Sequence, residues 1–117
     1  MKPDSTQPRG LAHAGVIDAM LQDVRSGEVC LVMVERRPWS GGEEQLFQLQ
    51  EKLNAYISFA LDGELAETEP ALAGKPVRVI LDTTQPPSAE AVEFLAAVRA
   101  QLEFQAIALE VRITGLG

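Results

Sequence analysis

Few residues in this 117-residue chain are of the types that perform catalysis or bind metals. Its only histidine is His13 and its only cysteine is Cys30. A zinc site or a catalytic pair would have to recruit His13 from a stretch rich in proline and glycine, whereas such sites need rigid support. Cys30 lies in the apolar run from Val29 to Val34, which favours a small buried side chain. The sequence therefore predicts no metal site and no cofactor.

Asp82, Thr83 and Thr84 follow the third apolar run of the chain and precede two prolines. Polar residues at the carboxyl end of a strand build the active site in many α/β folds. A strand end followed by a turn explains the same residues more simply. No phosphate-binding loop is recognisable, because Gly41-Gly42 lacks the required spacing and lysine. We therefore expect a protein that is not an enzyme.

One stretch of the chain is strongly acidic. Between residues 43 and 69, seven acidic residues accompany a single base, Lys52. A solvated surface explains such a stretch. A docking surface for a basic protein explains it as well, because concentrated charge speeds encounter and sets specificity. The candidate partner-binding residues are acids of this stretch and the tryptophan that precedes it: Glu44, Glu51, Glu64, Glu67, Glu69 and Trp39.

The overall charge excludes two classes of partner. A net charge of −7 argues against nucleic acids, whose phosphates require clustered Lys and Arg, and against anionic membrane surfaces. The longest apolar run is far shorter than the roughly 20 residues of a membrane-spanning helix. Residues 1–8 lack the apolar segment of a secretory signal, and one cysteine forms no internal disulfide. We expect cytoplasmic residence.

The stretch from Ser40 to Leu61 is predicted to form one long amphipathic helix. Ser40 and Glu43 have the spacing of a capping box, and Gly63 suits the left-handed residue after a helix. Lys52 is assigned to the solvent side, with Glu44 and Glu51. The predicted apolar stripe consists of Leu46, Leu49, Leu53, Tyr56, Ile57, Ala60 and Leu61.

Strand-like alternation flanks this helix on both sides. Residues 16–24 and 28–35 form a predicted β-hairpin, residues 77–84 a third strand, and residues 106–114 a fourth. Ser88 caps a predicted second helix, and residues 61–75 form a long connector. The order β-β-α-β-α-β predicts an α+β two-layer sandwich, with a four-stranded mixed sheet and two helices on one face. Residues 1–15 are interpreted as a flexible leader and residues 16–117 as one domain.

Three stretches carry a resemblance to a known family. They are Val16-Ile17-Asp18 with Ser26-Gly27-Glu28-Val29, then Leu49-Gln50-Glu51-Lys52-Leu53-Asn54-Ala55-Tyr56, and finally Pro87-Ser88. The sequence resembles a family of small uncharacterised bacterial proteins, each a single domain of unknown function. The resemblance implies this architecture, and it implies no activity and no ligand.

Three hypotheses about function follow. The first is a non-enzymatic interaction module, such as an acidic inhibitor or immunity-type protein, that binds a basic partner through residues 43–69. The alternative is a small-molecule binding or catalytic domain, with a pocket between the sheet and the connector 61–75 around Tyr56, Trp39 and Asp82. The third is a protein that associates with itself, as a homodimer, through an exposed strand.

Overall fold

The computed structural model describes residues 10–11 and 16–114. Four strands and three helices confirm the predicted α+β class. Over these residues no helix combines the length and the apolar character needed to cross a membrane. The elements are β1 (Ala19–Gln22), β2 (Val29–Glu35), α1 (Glu43–Leu61), α2 (Glu64–Thr68), β3 (Val77–Thr83), α3 (Ala89–Leu102) and β4 (Ile107–Ile113), with short 3-10 turns at Pro70–Leu72 and Glu103–Gln105.

The sheet has the order β1-β2-β3-β4, which the sequence did not reveal. β1 pairs antiparallel with β2, as the predicted hairpin requires. β3 pairs parallel with both β2 and β4, because a helix carries the chain back between successive strands. All three parallel strands therefore end at the same edge of the sheet, at Glu35, Thr83 and Ile113.

The main core lies between this sheet and the two long helices. Alternate residues of β2 and β3, among them Leu31 and Leu81, pack against Leu49 and Leu53 of α1 and against Leu95 of α3. Leu53 is fully buried, as the predicted stripe requires. This arrangement is the predicted two-layer sandwich.

The observed ends of the long helices agree only in part with those predicted from the sequence. Ser88 accepts a hydrogen bond from the amide of Ala91 (3.3 Å), which confirms the predicted cap of α3. The capping box predicted for α1 is wrong, because α1 begins at Glu43 and its N-cap is Gly42, without a side-chain bond. Ser40 instead accepts from the amide of Gly42 (3.0 Å), two residues later. Gly63 has a φ of +89°, as predicted for the residue after α1.

The connector after α1 is more ordered than an extended loop. Residues Glu64–Thr68 form the short helix α2, and Pro70–Leu72 form a 3-10 turn. Leu65 is buried in the core and fixes α2 against the end of α1. The structure therefore adds a third helix to the predicted two.

The second face of the sheet is lined by ion pairs. Arg78 contacts Glu28 (3.0 Å) and Glu110 (3.4 Å), and Arg112 contacts Glu110 (3.1 Å). Ile80 on this face is buried. Val32, which lies opposite Ile80 on the neighbouring strand β2, is buried as well.

Candidate functional site

An acidic ridge runs along the solvent side of α1. We call Glu44, Phe47 and Glu51 the α1 ridge; their spacing of three and then four residues places them on one side of the helix. Phe47 is 58% exposed, and both acids are exposed. An exposed aromatic ring between two carboxylates combines an apolar contact with charge, which is the chemistry of an interface anchor.

The remaining predicted acids lie at the other end of α1. Glu64, Glu67 and Glu69 are exposed on α2 and directly after it. From Glu51 to the end of α1 at Leu61, ten residues rise about 15 Å at about 1.5 Å per residue. This length exceeds the Debye length of about 8 Å at physiological salt. The structure thus divides the predicted surface into two separate groups of charge.

Trp39 is held within the fold, at the carboxyl ends of the strands. Its indole N–H donates to Thr83 Oγ1 (2.8 Å), and the Thr83 hydroxyl donates to the carbonyl of Gln85 (2.9 Å). The side chain is half-buried and packs against the core. Trp39 thus contributes to the fold at this edge of the sheet, and its role in partner binding stays a prediction.

Glu35 organises the polar side chains at this edge of the sheet. Its carboxylate accepts two bonds from the Arg37 guanidinium (3.0 and 2.7 Å) and one from Gln45 Nε2 (2.8 Å). Burial alone raises the pKa of Glu35, but these bonds outweigh burial and hold the pKa below its ordinary value. Arg37 also donates to Gln48 (2.8 Å) and so joins β2 to α1. A polar cavity of about 400 Å³ opens beside this cluster.

A second polar cluster is sealed inside the domain. The Lys52 ammonium lies 3.0 Å from Asp18 Oδ1, and these side chains are 0% and 1% exposed. The Tyr56 hydroxyl accepts from the Asp18 amide (2.8 Å) and donates to the Val32 carbonyl (2.7 Å). Burial raises the pKa of Tyr56 well above its usual range. Since no substrate reaches these groups from solvent, we interpret the cluster as structural.

The assignment of Lys52 to the solvent side of α1 is therefore wrong. Its position three residues after Leu49 and four before Tyr56 places it at the margin of the apolar stripe. Burial of the ammonium is tolerated because Asp18 and the carbonyls of Gly10 and Val16 (both 2.9 Å) surround it. The sequence contained one signal of this burial, because Lys52 has the helical spacing of the apolar stripe.

The same cluster binds part of the chain that the sequence assigned to the leader. Asp18 accepts from the amides of Gly10 (3.2 Å) and Val34 (2.9 Å). Leu11 is 1% exposed and belongs to the core. The domain thus includes Gly10 and Leu11, whereas residues 1–9 and 12–15, with His13, lie outside the described residues.

An apolar cavity of about 410 Å³ lies where the alternative hypothesis expects one, between the sheet and the connector. It opens at the amino ends of β3 and β4. Among the described residues that line it, only Lys75 and Gln105 have long polar side chains. The other lining residues are small or apolar: Ala60, Leu61, Gly63, Leu65, Ala66, Leu72, Ala73, Gly74, Pro76, Val77, Ala106 and Ile107.

The three residues proposed for that pocket do not meet there. Tyr56 is in the buried cluster, Trp39 is bound to Thr83, and Asp82 lies at the carboxyl edge. Asp82 accepts from the Thr114 hydroxyl (2.6 Å) and pairs with Arg36 (3.5 Å). Within residues 10–11 and 16–114, no three or more His, Cys, Asp or Glu side chains are grouped to hold a metal ion.

Comparison with known proteins supports the resemblance seen in the sequence. Residues 10–115 match a family described as a family of unknown function (DUF6572). No curated protein and no solved structure matches the chain significantly. Two of the three stretches that carry the resemblance contain Asp18 and Lys52, which the structure joins in the buried ion pair. Because the match includes Gly10 and Leu11 and extends over nearly the whole chain, the protein belongs to this family of unknown function, DUF6572.

Proposed function

We propose that this protein is a non-enzymatic interaction module that binds a basic protein partner through the α1 ridge. The observation that carries the proposal is the exposure of Phe47 between Glu44 and Glu51. An inhibitor or immunity-type role is the form of this function that the acidic surface favours. Nucleic acids and membranes are not among the proposed partners.

Phe47 distinguishes this surface from an ordinary solvated helix face. The chain has six aromatic residues, and most contribute to the fold or are partly covered. Phe47 and Phe104 are the strongly exposed ones, at 58% and 92%. Aromatic side chains are enriched at the centres of interfaces, where they carry much of the binding free energy. Of these two, only Phe47 lies among carboxylates on a long helix. It therefore adds an apolar contact to a surface that would otherwise offer charge alone.

The two groups of acids have different roles in this proposal. Glu44 and Glu51 adjoin Phe47 and contact the partner directly. Glu64, Glu67 and Glu69 lie at the far end of α1 and raise the rate of encounter at low salt. The hydrogen bonds to Glu35 are the main cause of the raised pKa of the Arg37 guanidinium, and the charge of Glu44 raises this pKa further. Arg37 thereby limits the acidic field at the amino end of the ridge.

The test compares two aromatic variants in the native host. Tagged wild type, Phe47→Ala and Phe104→Ala are each used to recover binding proteins at low and at high salt. Phe104→Ala is the matched control, because it removes a ring that is even more exposed than Phe47 and lies outside the ridge. We expect a basic protein that the wild type and Phe104→Ala both recover, and that Phe47→Ala loses.

The binding kinetics of the recovered protein complete the test. Its association with the wild type should slow as salt rises, and Phe47→Ala should mainly speed its dissociation. A partner that binds Phe47→Ala as tightly as the wild type would contradict the proposed ridge. A partner whose binding does not depend on salt would contradict the role of the acids.

The apolar cavity supports a second candidate function, the binding of a small apolar molecule. Its volume of about 410 Å³ falls within the usual range of ligand pockets, about 300–1,000 Å³. The probe is the fluorescent apolar dye anilinonaphthalene sulfonate. Ala66→Phe fills the cavity and should abolish dye binding, whereas Ala100→Phe on the exposed side of α3 should not. Equal dye fluorescence in both variants would exclude this site.

Cytoplasmic residence in a bacterial cell is part of the proposal. It rests on the family resemblance and on the single thiol of Cys30, which has no second cysteine in the chain to pair with. Partial burial raises the pKa of this thiol above its ordinary value.

A further inference from the structure

β4 forms one edge of the sheet, with no strand on its outer side within residues 10–11 and 16–114. The Thr114 amide donates to the Thr83 carbonyl of β3 (3.0 Å). Because peptide groups alternate in direction along a strand, the even-numbered residues of β4 face β3. The N–H and C=O groups of Leu109, Val111 and Ile113 therefore face outward. The edge presents seven residues of backbone, from Ile107 to Ile113, to a further strand.

Arg99 protects only part of this edge. Its Nε donates to the outward Leu109 carbonyl (3.1 Å), as the alternation requires. A charged side chain over an edge is a recognised way to prevent unwanted strand pairing. The outward groups of Val111 and Ile113 have no such bond among the described residues. The carboxyl half of β4 is thus the open part of the edge.

Apolar side chains border this open part. Val92 precedes Arg99 by seven residues, so both lie on the same side of α3. Since α3 runs opposite to β4, Val92 lies near the carboxyl end of that strand. Val92 is 51% exposed and Ile113 is 52% exposed. An exposed apolar strip beside unpaired backbone groups is what a strand-pairing interface requires.

We propose that two copies of this chain pair through their β4 edges, antiparallel and about a twofold axis at Val111. This register places Glu110 opposite the partner's Arg112, and the partner's Glu110 opposite Arg112. On the helix side it places Leu109 opposite the partner's Ile113, whose amide donates to the second lone pair of the Leu109 carbonyl, beside the bond from Arg99. Opposite charges and apolar pairs directly across from each other stabilise antiparallel strands.

Neighbouring registers are less favourable. The outward residues are odd-numbered, so the axis must pass through a residue and not between two. An axis at Arg112 would place two arginines opposite each other, and an axis at Glu110 would place two glutamates opposite each other. Like charges directly across a strand pair are destabilising. Only the axis at Val111 makes the sequence of β4 complementary to itself in charge.

The dimer joins two four-stranded sheets into one continuous sheet. The ion pairs Glu28–Arg78–Glu110–Arg112 then extend across the axis into the second subunit. Pairing leaves the α1 ridge free, since that surface lies on a different element. The dimer is therefore compatible with the proposed function and does not depend on it.

A charge-swap experiment tests the register. Sedimentation equilibrium is measured for the wild type, Glu110→Arg, Arg112→Glu and an equal mixture of these two variants. We expect a wild-type dimer, a dissociation constant at least tenfold higher for each variant alone, and recovery of dimer in the mixture. Native mass spectrometry should show that the recovered dimer contains one chain of each variant. Glu67→Arg, which makes the same charge change away from β4, should dimerise like the wild type.

A second variant tests the edge without changing the charge pairs. Ile113→Lys places a charge in the apolar strip at an exposed position, and it should also weaken the dimer at least tenfold. Thermal melts of every variant show whether the subunit remains folded. A wild type that stays monomeric at millimolar concentration would overturn the proposal. So would dimers of the wild type that none of these substitutions weakens, because they would use another surface.

Discussion

The Lys52 ammonium of α1 and the Asp18 carboxylate before β1 form an ion pair of 3.0 Å that is sealed from solvent. Tyr56, one helical turn after Lys52, places its hydroxyl between the Asp18 amide and the Val32 carbonyl. The same carboxylate accepts the Val34 amide, next to the last residue pair of the β1–β2 ladder, Ala19 and Val32. These side chains thus supply the hydrogen bonds between the two segments beyond the point where the strand pairing ends.

Lys52→Met should destabilise the domain strongly, because it leaves the Asp18 carboxylate buried without its counter-charge. Loss of one partner of a buried pair costs about 3–5 kcal/mol, out of a total stability of about 5–15 kcal/mol. Asp18→Asn should cost a similar amount, and the double variant should cost less than the sum. Urea unfolding of the four proteins measures this coupling, and strictly additive losses would contradict it.

Leu11 should contribute as much as a residue inside the sheet, although it lies near the start of the chain. Leu11→Ala should reduce the free energy of unfolding by about 2–5 kcal/mol, because it leaves a cavity in the core. Leu21→Ala is the matched control, since Leu21 is mostly exposed. Beginning the chain at Val16 should also destabilise it, whereas beginning at Gly10 should not. Equal urea midpoints for these two shortened chains would show that Leu11 adds nothing.

Glu35 should make the stability depend on pH in the acid range. Its pKa is lower in the folded protein than the unfolded value of about 4.3, so its ionised form favours folding. This contribution is complete above about pH 4.3 and is lost as the pH falls through the folded pKa. Glu35→Gln should therefore be less stable than the wild type at pH 7, and the gap should narrow at pH 3. A gap that stays constant in urea titrations would mean that the bonds from Arg37 and Gln45 do not favour the ionised form.

Removing charge from the acidic surface should affect binding and leave folding unchanged. Replacing Glu44, Glu51, Glu64 and Glu67 together by Gln should change the unfolding free energy little, because each exposed charge contributes little. Association with the basic partner should slow at low salt and approach the wild-type rate at high salt.

The same measurement distinguishes the roles of the two groups of acids. Glu44→Gln with Glu51→Gln should also speed dissociation, whereas Glu64→Gln with Glu67→Gln should change association only. Stopped-flow traces at several salt concentrations distinguish these effects. A quadruple variant that associates at the wild-type rate in low salt would identify the acids as a solvated surface only.

Local patterns in the sequence predicted the four strands and the two long helices, although not the short helix α2. Alternation predicted β3 and β4, and a run that is apolar on both faces predicted β2. The spacing of Leu49, Leu53 and Tyr56 predicted the buried side of α1. The prolines before Ser88 and the glycine after α1 predicted helix ends, since each imposes a local backbone conformation. These features depend only on neighbours in the chain.

The features that the sequence did not predict depend on contacts between residues far apart in the chain. Nothing in the local pattern orders four strands in a sheet, and nothing shows that Lys52 finds Asp18, 34 residues earlier. The connector was expected to be a loop, because the burial of Leu65 depends on the end of α1 beside it. Leu11 likewise gains its position only once the buried ion pair holds Gly10.

Some features of the candidate site likewise follow from the sequence, and others follow only from the tertiary structure. The acids of residues 43–69, and the expectation that the protein does not bind nucleic acids, follow from composition, because charge is a property of the residues themselves. The hydrogen bond of Trp39 to Thr83, the exposure of Phe47 and the open edge of β4 follow from tertiary structure alone. Whether a side chain meets solvent or another part of the chain depends on which segments pack against it, and that is decided by contacts between residues far apart in sequence.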